Sequence, residues 1–311
     1  MSTSDATALA DDPRVGPPQP SPGVVLPFLW RRVLSSLRGA RGAAPVVAYD
    51  ADALALDPAL TWIGHATFLL RLGGATVLTD PVFSRRASPL AFAGPQRMVP
   101  PGVPLGALPA VDFAVVSHDH YDHTDLPAMR ALAARGVRFV VPPGMADLVA
   151  SAGGRAVELE WWQGLDIAGV RVTCVPAQHF SGRGLFDRNR RLWAGFVIEG
   201  GGRRVYHAGD TGYFAGFREI TARLGPPDLA LLPIGAYAPR AMMRRVHMDP
   251  DEAVRAAVDL QARRVVGMHF GTFDLADEPM DEPPRRFLAA AAAAGLGDRA
   301  SVMKVGETRG L

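Results

Sequence analysis

In His118-Asp119-His120-Tyr121-Asp122-His123, three histidines and two aspartates, side chains of the kind that ligate metals, fall within six positions, directly after the apolar run Val111 to Val116. A strand that delivers such a cluster into a loop fixes where the donors can sit. The rest of the chain must then bring its remaining donors to the end of that strand. His118 and His120, one residue apart, can turn their rings toward one ion, while Asp122 and His123 on the returning turn can reach a second. The run therefore predicts a metal site with room for two neighbouring ions.

The chain around it is long and apolar enough for one large domain, with 311 residues of which 48% are hydrophobic. Its 33 glycines and 27 prolines imply many turns between ordered elements. A net charge of +2, from 33 basic and 31 acidic residues, steers it toward neither nucleic acid nor an anionic surface, so no nucleic-acid partner is expected. Cys174 is the only cysteine; it excludes an intrachain disulfide and a cysteine-based zinc knuckle and suits a reducing compartment.

Residues 1–23 are polar and Pro-rich without a secretory signal's basic start and apolar stretch, and read as a disordered tail. Val24 to Trp30 is apolar and runs into Arg31, Arg32, Arg38 and Arg41, too short for a membrane span. Residues 24–50 form a leader, either amphipathic and lying in a headgroup plane or a helix packed on the domain at 51–311.

Hydrophobic periodicity then predicts a strand over Thr61 to Leu70, a Gly73-Gly74 turn and a strand over Ala75 to Leu78. Further strands are expected at Asp112 to Ser117, Val137 to Val141, Val170 to Pro176, Leu229 to Pro233 and Val265 to His269, with a hairpin of Ala194 to Glu199 and Arg203 to His207. Helices are expected at Asp125 to Ala134, from Pro250 to about Ala262 behind an Asp249/Glu252 capping box, and at Arg285 to Ala294. Strands and helices in both halves suggest two sheets face to face with helices outside.

The six-residue cluster resembles the signature of the metallo-β-lactamase superfamily, His-x-His-x-Asp-His, at His118, His120, Asp122 and His123. Pro176-Ala177-Gln178-His179, Ala208-Gly209-Asp210-Thr211-Gly212 and His269 match that family's remaining motifs in order, so the resemblance covers approximately Leu60 to Phe273. It implies an α/β fold, the four-layer αββα sandwich of two mixed sheets. It also implies that His118, His120 and His179 hold one zinc, that Asp122, His123 and His269 hold the other, and that Asp210 bridges. Imidazole and carboxylate donors without thiolate suit two Zn2+ ions, and iron or manganese fill the same shell. Two such ions would lower the pKa of a shared water and leave a bridging hydroxide as nucleophile.

Trp62-Ile63-Gly64-His65-Ala66-Thr67, Thr79-Asp80-Pro81-Val82-Phe83-Ser84, Gly184 to Arg190, His247-Met248-Asp249-Pro250 and His269-Phe270-Gly271-Thr272-Phe273 look like one branch of that family. This is the N-acyl-phosphatidylethanolamine-hydrolysing phospholipase D branch. The resemblance implies a phosphodiesterase of lipid metabolism that releases N-acylethanolamine and phosphatidic acid. Asp122, Asp210 and His247 would be catalytic, and His247 would also orient substrate or protonate the leaving oxygen. Tyr121, Arg183 and Arg188 would contact substrate, and Arg190 and Arg191 extend that basic run. His65 would support the site from behind the ligands, and His207 reads as a packed strand residue.

An ascorbate-6-phosphate-lactonase-like hydrolase of a phosphorylated sugar lactone shares the ligands and is the alternative, and a non-catalytic metal-binding or scaffold protein is the alternative of another class. The expected partner is a small-molecule or phospholipid substrate, and a homodimer is left open. The expected place is the cytoplasm, with peripheral contact at the inner face of the cell membrane.

Overall fold

A computed structural model describes residues 14, 16–38, 42–184 and 186–311. Most of the tail expected at 1–23 falls outside these residues, as does Arg41.

The first sheet comprises β1 (Ala59–Gly64), β2 (Thr67–Leu72), β3 (Ala75–Thr79), β4 (Phe113–Val115), β5 (Arg138–Val141), β6 (Arg155–Glu158) and β14 (Thr308–Gly310), in the order β14-β1-β2-β3-β4-β5-β6. The second comprises β7 (Gly164–Ile167), β8 (Val170–Val175), β9 (Gly195–Gly200), β10 (Arg203–His207), β11 (Leu229–Pro233), β12 (Arg264–Met268) and β13 (Ala300–Val302), in the order β13-β12-β11-β10-β9-β8-β7. Each is mixed: β3 to β6 run parallel, as do β10 to β13, and the remaining neighbours are antiparallel.

Residue alternation explains how the layers stack. In the first sheet Trp62, Phe68, Leu70, Val77, Phe113, Val115 and Val140 join the core shared with Phe196, Ile198 and Tyr206 of the second. Their neighbours Ile63, Leu69, Leu78, Ala114, Val116, Phe139 and Val141 point the other way and pack with Met129, Leu132 and Val149. Those last three lie on α2 (Leu126–Ala134) and α3 (Ala146–Ser151). The second sheet's core takes in residues of α4 (Gly216–Leu224), α6 (Pro250–Asp259) and α7 (Glu282–Ala293). The result is the expected αββα sandwich, with a short α5 (Arg240–Met243) in the loop before α6. Burying one large apolar side chain contributes about 1.5–3 kcal/mol, so these double-sided strands dominate stability.

The two glycine turns touch across the sandwich. A Cβ at Gly73 would lie 2.7 Å from the Gly201 nitrogen, so the backbones approach too closely for any side chain.

The expected strand over Thr61 to Leu70 is instead two antiparallel strands, with a turn at Gly64-His65-Ala66. Both strands are buried on both faces, so hydrophobicity carries no break; Gly64 at φ 129° and His65 at φ 55° make the turn. The capping box is present, with Asp249 Oδ1 accepting from the Glu252 nitrogen at 2.9 Å and Glu252 Oε2 from the Asp249 nitrogen at 3.3 Å. The helix it starts ends at Asp259, three residues before the expected Ala262.

The leader contains α1 (Pro22–Arg38), docked through Arg31 Nε to Asp277 at 2.7 Å and Arg32 to Asp274 at 2.6 Å. Residues later in the leader also join the domain, Ala44 bonding Gly271 and Val47 bonding Val305. Among the described residues no helix is long and apolar enough to cross a membrane.

Candidate metal centre

The predicted donors meet at one rim of the sandwich, beyond the carboxyl ends of β4, β8, β10 and β12. The loop after β4 is a tight turn: the His123 and Thr124 nitrogens both donate to the His120 carbonyl, at 3.0 and 2.7 Å, and Thr124 Oγ1 donates to the His118 carbonyl at 2.6 Å. Asp125 then caps α2 and accepts from the Phe83 and Ser84 nitrogens at 2.8 and 2.7 Å, tying this loop to the one after β3. Gly209, at φ 60°, brings Asp210 close, since a Cβ there would sit 2.5 Å from that of Ser117.

His118, His120 and His179 form one donor cluster, and His65, Asp122, His123 and His269 another. Asp210 lies between them. Its Oδ2 is 3.1 Å from His123 Nε2 and 3.9 Å from both His118 Nε2 and His179 Nε2, and its Oδ1 is 3.1 Å from His269 Nε2. His247, half-buried at the rim, places Nδ1 3.9 Å from Asp210 Oδ2.

The proton inventory of the donor set fits a metal. His179 Nδ1 faces the Val246 carbonyl at 2.9 Å, an acceptor, so it carries the proton and Nε2 is a bare lone pair. Ser117 Oγ spends its proton on Asp80 at 2.8 Å and so accepts from His118 Nδ1 at 2.9 Å, which leaves His118 Nε2 bare as well. Both bare nitrogens point at His120 Nδ1, at 2.9 and 3.2 Å, and one proton there can satisfy only one of them. In the second cluster His123 Nδ1 donates to Asp80 at 2.8 Å, while His123 Nε2 is buried and has no hydrogen-bond partner among the described residues. Converging lone pairs beside buried carboxylates fit cations.

Electrostatics agree. Burial opposes ionisation of Asp122 and Asp210, but His123 and its neighbouring histidines outweigh it and hold both well below the usual carboxylate range. Against burial, Asp210 pushes His269 up to about 9, and Asp210, Asp122 and Asp80 raise His123 well above its ordinary value. Without metal the centre therefore holds protons where cations belong. Burial lowers His247 to about 4 and His65 to about 3, and it takes His118 and His179 well below 6.5.

His65 lies where a supporting residue would. Its Nε2 donates to Asp122 Oδ2 at 2.9 Å and its ring packs on His269 with centroids 3.9 Å apart. Asp80 carries a role that sequence reasoning did not assign. Its fully buried carboxylate accepts from the Ser117 nitrogen at 2.7 Å, Ser117 Oγ at 2.8 Å, His123 Nδ1 at 2.8 Å and His207 Nε2 at 2.9 Å. Burial would raise its pKa, but His123 and His207 overcome that and hold it far below the carboxylate range. The only signal was Thr79-Asp80-Pro81 at the end of a strand. His207, read as a packed strand residue, is buried but polar in its role.

The expected substrate contacts Tyr121, Arg183 and Arg188 also make contacts within the chain. Arg183 donates to the carbonyls of Asp119 at 2.6 Å and Thr124 at 3.0 Å, stacks 3.8 Å over Tyr121 and receives the Tyr121 hydroxyl on its own carbonyl at 3.1 Å. Arg191 bonds Asp119 at 3.1 Å and Asp187 at 3.3 Å, and Asp119 also accepts from the Gly182 nitrogen. Arg188 lies over Phe180 and donates to the Pro17 carbonyl. Through Nη1 the Arg183 guanidinium clamps the two loops together.

Residues 75–270 match the beta-lactamase superfamily domain. The chain belongs to the metallo-β-lactamase superfamily. Within that superfamily it is 33% identical over 259 residues to a UPF0173 metal-dependent hydrolase of Caldivirga maquilingensis, covering 81% of this chain and 97% of that one. It is 42% identical over 228 residues to N-acyl-phosphatidylethanolamine-hydrolyzing phospholipase D 1 of Caenorhabditis elegans, covering 69% of this chain and 64% of the worm protein, slightly under two thirds. The solved structure of Igni18, a metallo hydrolase from Ignicoccus hospitalis, superposes with a TM-score of 0.62 at 28% identity, over 81% of this chain and 97% of that one. The chain is thus a metal-dependent hydrolase of the metallo-β-lactamase superfamily, with a His/Asp cluster able to hold metal.

Proposed function

We propose that this hydrolase is a two-zinc phosphodiesterase acting on N-acyl-phosphatidylethanolamine-type lipids. The observation that carries the two-ion reading is Asp210, whose carboxylate faces both histidine clusters at 3.1–3.9 Å. His118, His120 and His179 would hold one ion, Asp122, His123 and His269 the other, and Asp210 both. Bound there, the ions supply Lewis acidity, lowering the pKa of water and drawing charge from a phosphoryl oxygen. The lipid substrate is favoured by the worm relative's activity and by the motifs shared with its branch.

The chain's own residues provide the rest. Asp122, fixed by His65 Nε2, keeps an ionised carboxylate at the centre. Among the described residues His247 stands at the open side with Nδ1 buried and without a hydrogen-bond partner; kept neutral by burial, it would orient the diester through a hydrogen bond rather than protonate the leaving alcohol. Arg183 and Tyr121 keep the His118 loop in register so that an in-line attack has fixed geometry.

Peripheral membrane contact belongs to the same proposal. Leu26 and Trp30 on α1 are each 65% exposed and Phe92 is 80% exposed, and the segment after His269 ties both regions together, Asp274 and Asp277 holding α1 and Phe273 pairing with Arg97.

The test is zinc-loaded protein with N-acyl-phosphatidylethanolamine in vesicles, in water enriched in 18O, read by mass spectrometry. N-acylethanolamine with label in phosphatidic acid is expected. Release of fatty acid, or turnover of a phosphorylated sugar lactone alone, would overturn the phosphodiesterase reading.

A further inference from the structure

The contact between the sheets beneath the centre has a feature that the proposed chemistry does not use. Asp80 follows β3 in the first sheet, and His207 ends β10 in the second. Their bond, His207 Nε2 to Asp80 Oδ2 at 2.9 Å, crosses the sandwich interface between two residues with fully buried side chains. The same Oδ2 receives His123 Nδ1 at 2.8 Å and Ser117 Oγ at 2.8 Å, and Ser117 Oγ in turn receives His118 Nδ1. One oxygen thus sets the ring of His123 in one donor cluster and, through Ser117, the ring of His118 in the other. Asp80 itself sits at φ 35°, a conformation an aspartate keeps only when its surroundings hold it there. The donor from the opposite sheet is part of what holds it. Among the described residues His207 Nδ1 has no hydrogen-bond partner, so the polar reach of this buried ring goes through Nε2.

We infer that His207 is a positioning residue for both ion positions at once, acting across the sheet interface through the Asp80 carboxylate. This rests on the two-ion reading. Loss of a direct ligand weakens the position it serves; loss of the His207 donor frees Asp80 and weakens both together. The donor must stand at the reach of Nε2, which a glutamine amide approximates and an asparagine amide, closer to the Nδ1 position, does not.

Cobalt(II) provides the test, because its visible absorption reports the geometry of its ligands. Metal-stripped wild type, His207→Phe, His207→Gln and His207→Asn are titrated with cobalt against a competing chelator, with circular dichroism and thermal unfolding as measures of folding. In His207→Phe both cobalt equivalents should weaken by about 10–100-fold in parallel, the range for residues that orient a metal-bound histidine. His207→Gln should recover most of the affinity and the wild-type absorption, and His207→Asn should recover neither. Wild-type affinity in a folded His207→Phe, weakening of one equivalent only, or equal impairment of the folded Gln and Asn variants would overturn the inference. If His207→Phe does not fold, the Gln and Asn pair decides. Wild type that takes up no cobalt overturns the two-ion reading itself, before any variant is compared.

Discussion

Raising the pH should tighten metal binding steeply, because the metal-free centre holds protons where ions belong. Beside Asp210, His269 is pushed up to about 9, and Asp210, Asp122 and Asp80 hold His123 well above its ordinary value, so both are charged at neutral pH and must lose a proton to become ligands. Filling both positions near pH 7.5 should therefore release about two protons, and overall affinity should rise by about a hundredfold per pH unit until His269 titrates. Zinc titration calorimetry in buffers of different ionisation enthalpy reads the proton count directly. Linkage gives a second readout. The raised pKa of His269 stabilises the metal-free fold fully below its ordinary 6.5, and this stability is lost as pH rises through about 9. The cost is about 1.4 kcal/mol per pH unit between those values. His247, lowered to about 4 by burial, works in the opposite sense: the unfolded chain takes up its proton first as pH falls below 6.5, so acid destabilises the fold. From these groups metal-free protein should be most stable near pH 6.5, with the alkaline loss absent once metal is bound. A buffer-independent binding enthalpy, or affinity that stays flat between about pH 7 and 8.5, would refute the reasoning.

Two substitutions separate support from contact. Asp80→Asn keeps the shape but puts an amide donor against the His207 and His123 donors or the Ser117 nitrogen, so urea unfolding of metal-free protein should show a loss of about 3–6 kcal/mol, from broken charge-assisted bonds and unsatisfied buried donors. A loss under about 1 kcal/mol would mean that the carboxylate does not organise the centre. Arg183→Ala removes the clamp on the Asp119 and Thr124 carbonyls and should cost about 1–3 kcal/mol of stability, with kcat falling more than KM changes. Unchanged stability with a KM raised about tenfold would return Arg183 to the role of a substrate contact.

What the sequence made legible was the identity of the donors. Histidines are few, and His118, His120 and His123 stand out because a polar cluster interrupts an apolar strand pattern; His179, Asp210 and His269 each follow a strand whose alternation places its end. Partnerships among polar groups were less legible. Thr61 to Leu70 reads as one strand because both of its faces are buried, so hydrophobicity is continuous through the turn at His65. Arg183 sits in a basic loop that reads as a phosphate cradle, yet its carbonyl partners lie about sixty residues away.

The same limit applies to the deepest layer of the site. An aspartate after a strand, before a proline, is indistinguishable locally from any turn residue, and a histidine at an inward position of a strand is indistinguishable from packing. Asp80 and His207 gain their meaning from each other across 127 positions, on two different sheets. Periodicity says which face of a strand is inside, so it can predict that both side chains are buried. A buried carboxylate without donors is costly enough that it must find them. The sequence therefore contained the demand for a partner, and the stacking of the sheets supplied it. The supporting hydrogen bonds of this centre follow from the fold, whereas its ligands follow from the local sequence. This explains why a substitution at His207, which directly precedes the Ala208 to Gly212 motif and is fully buried, is expected to be felt at both ion positions.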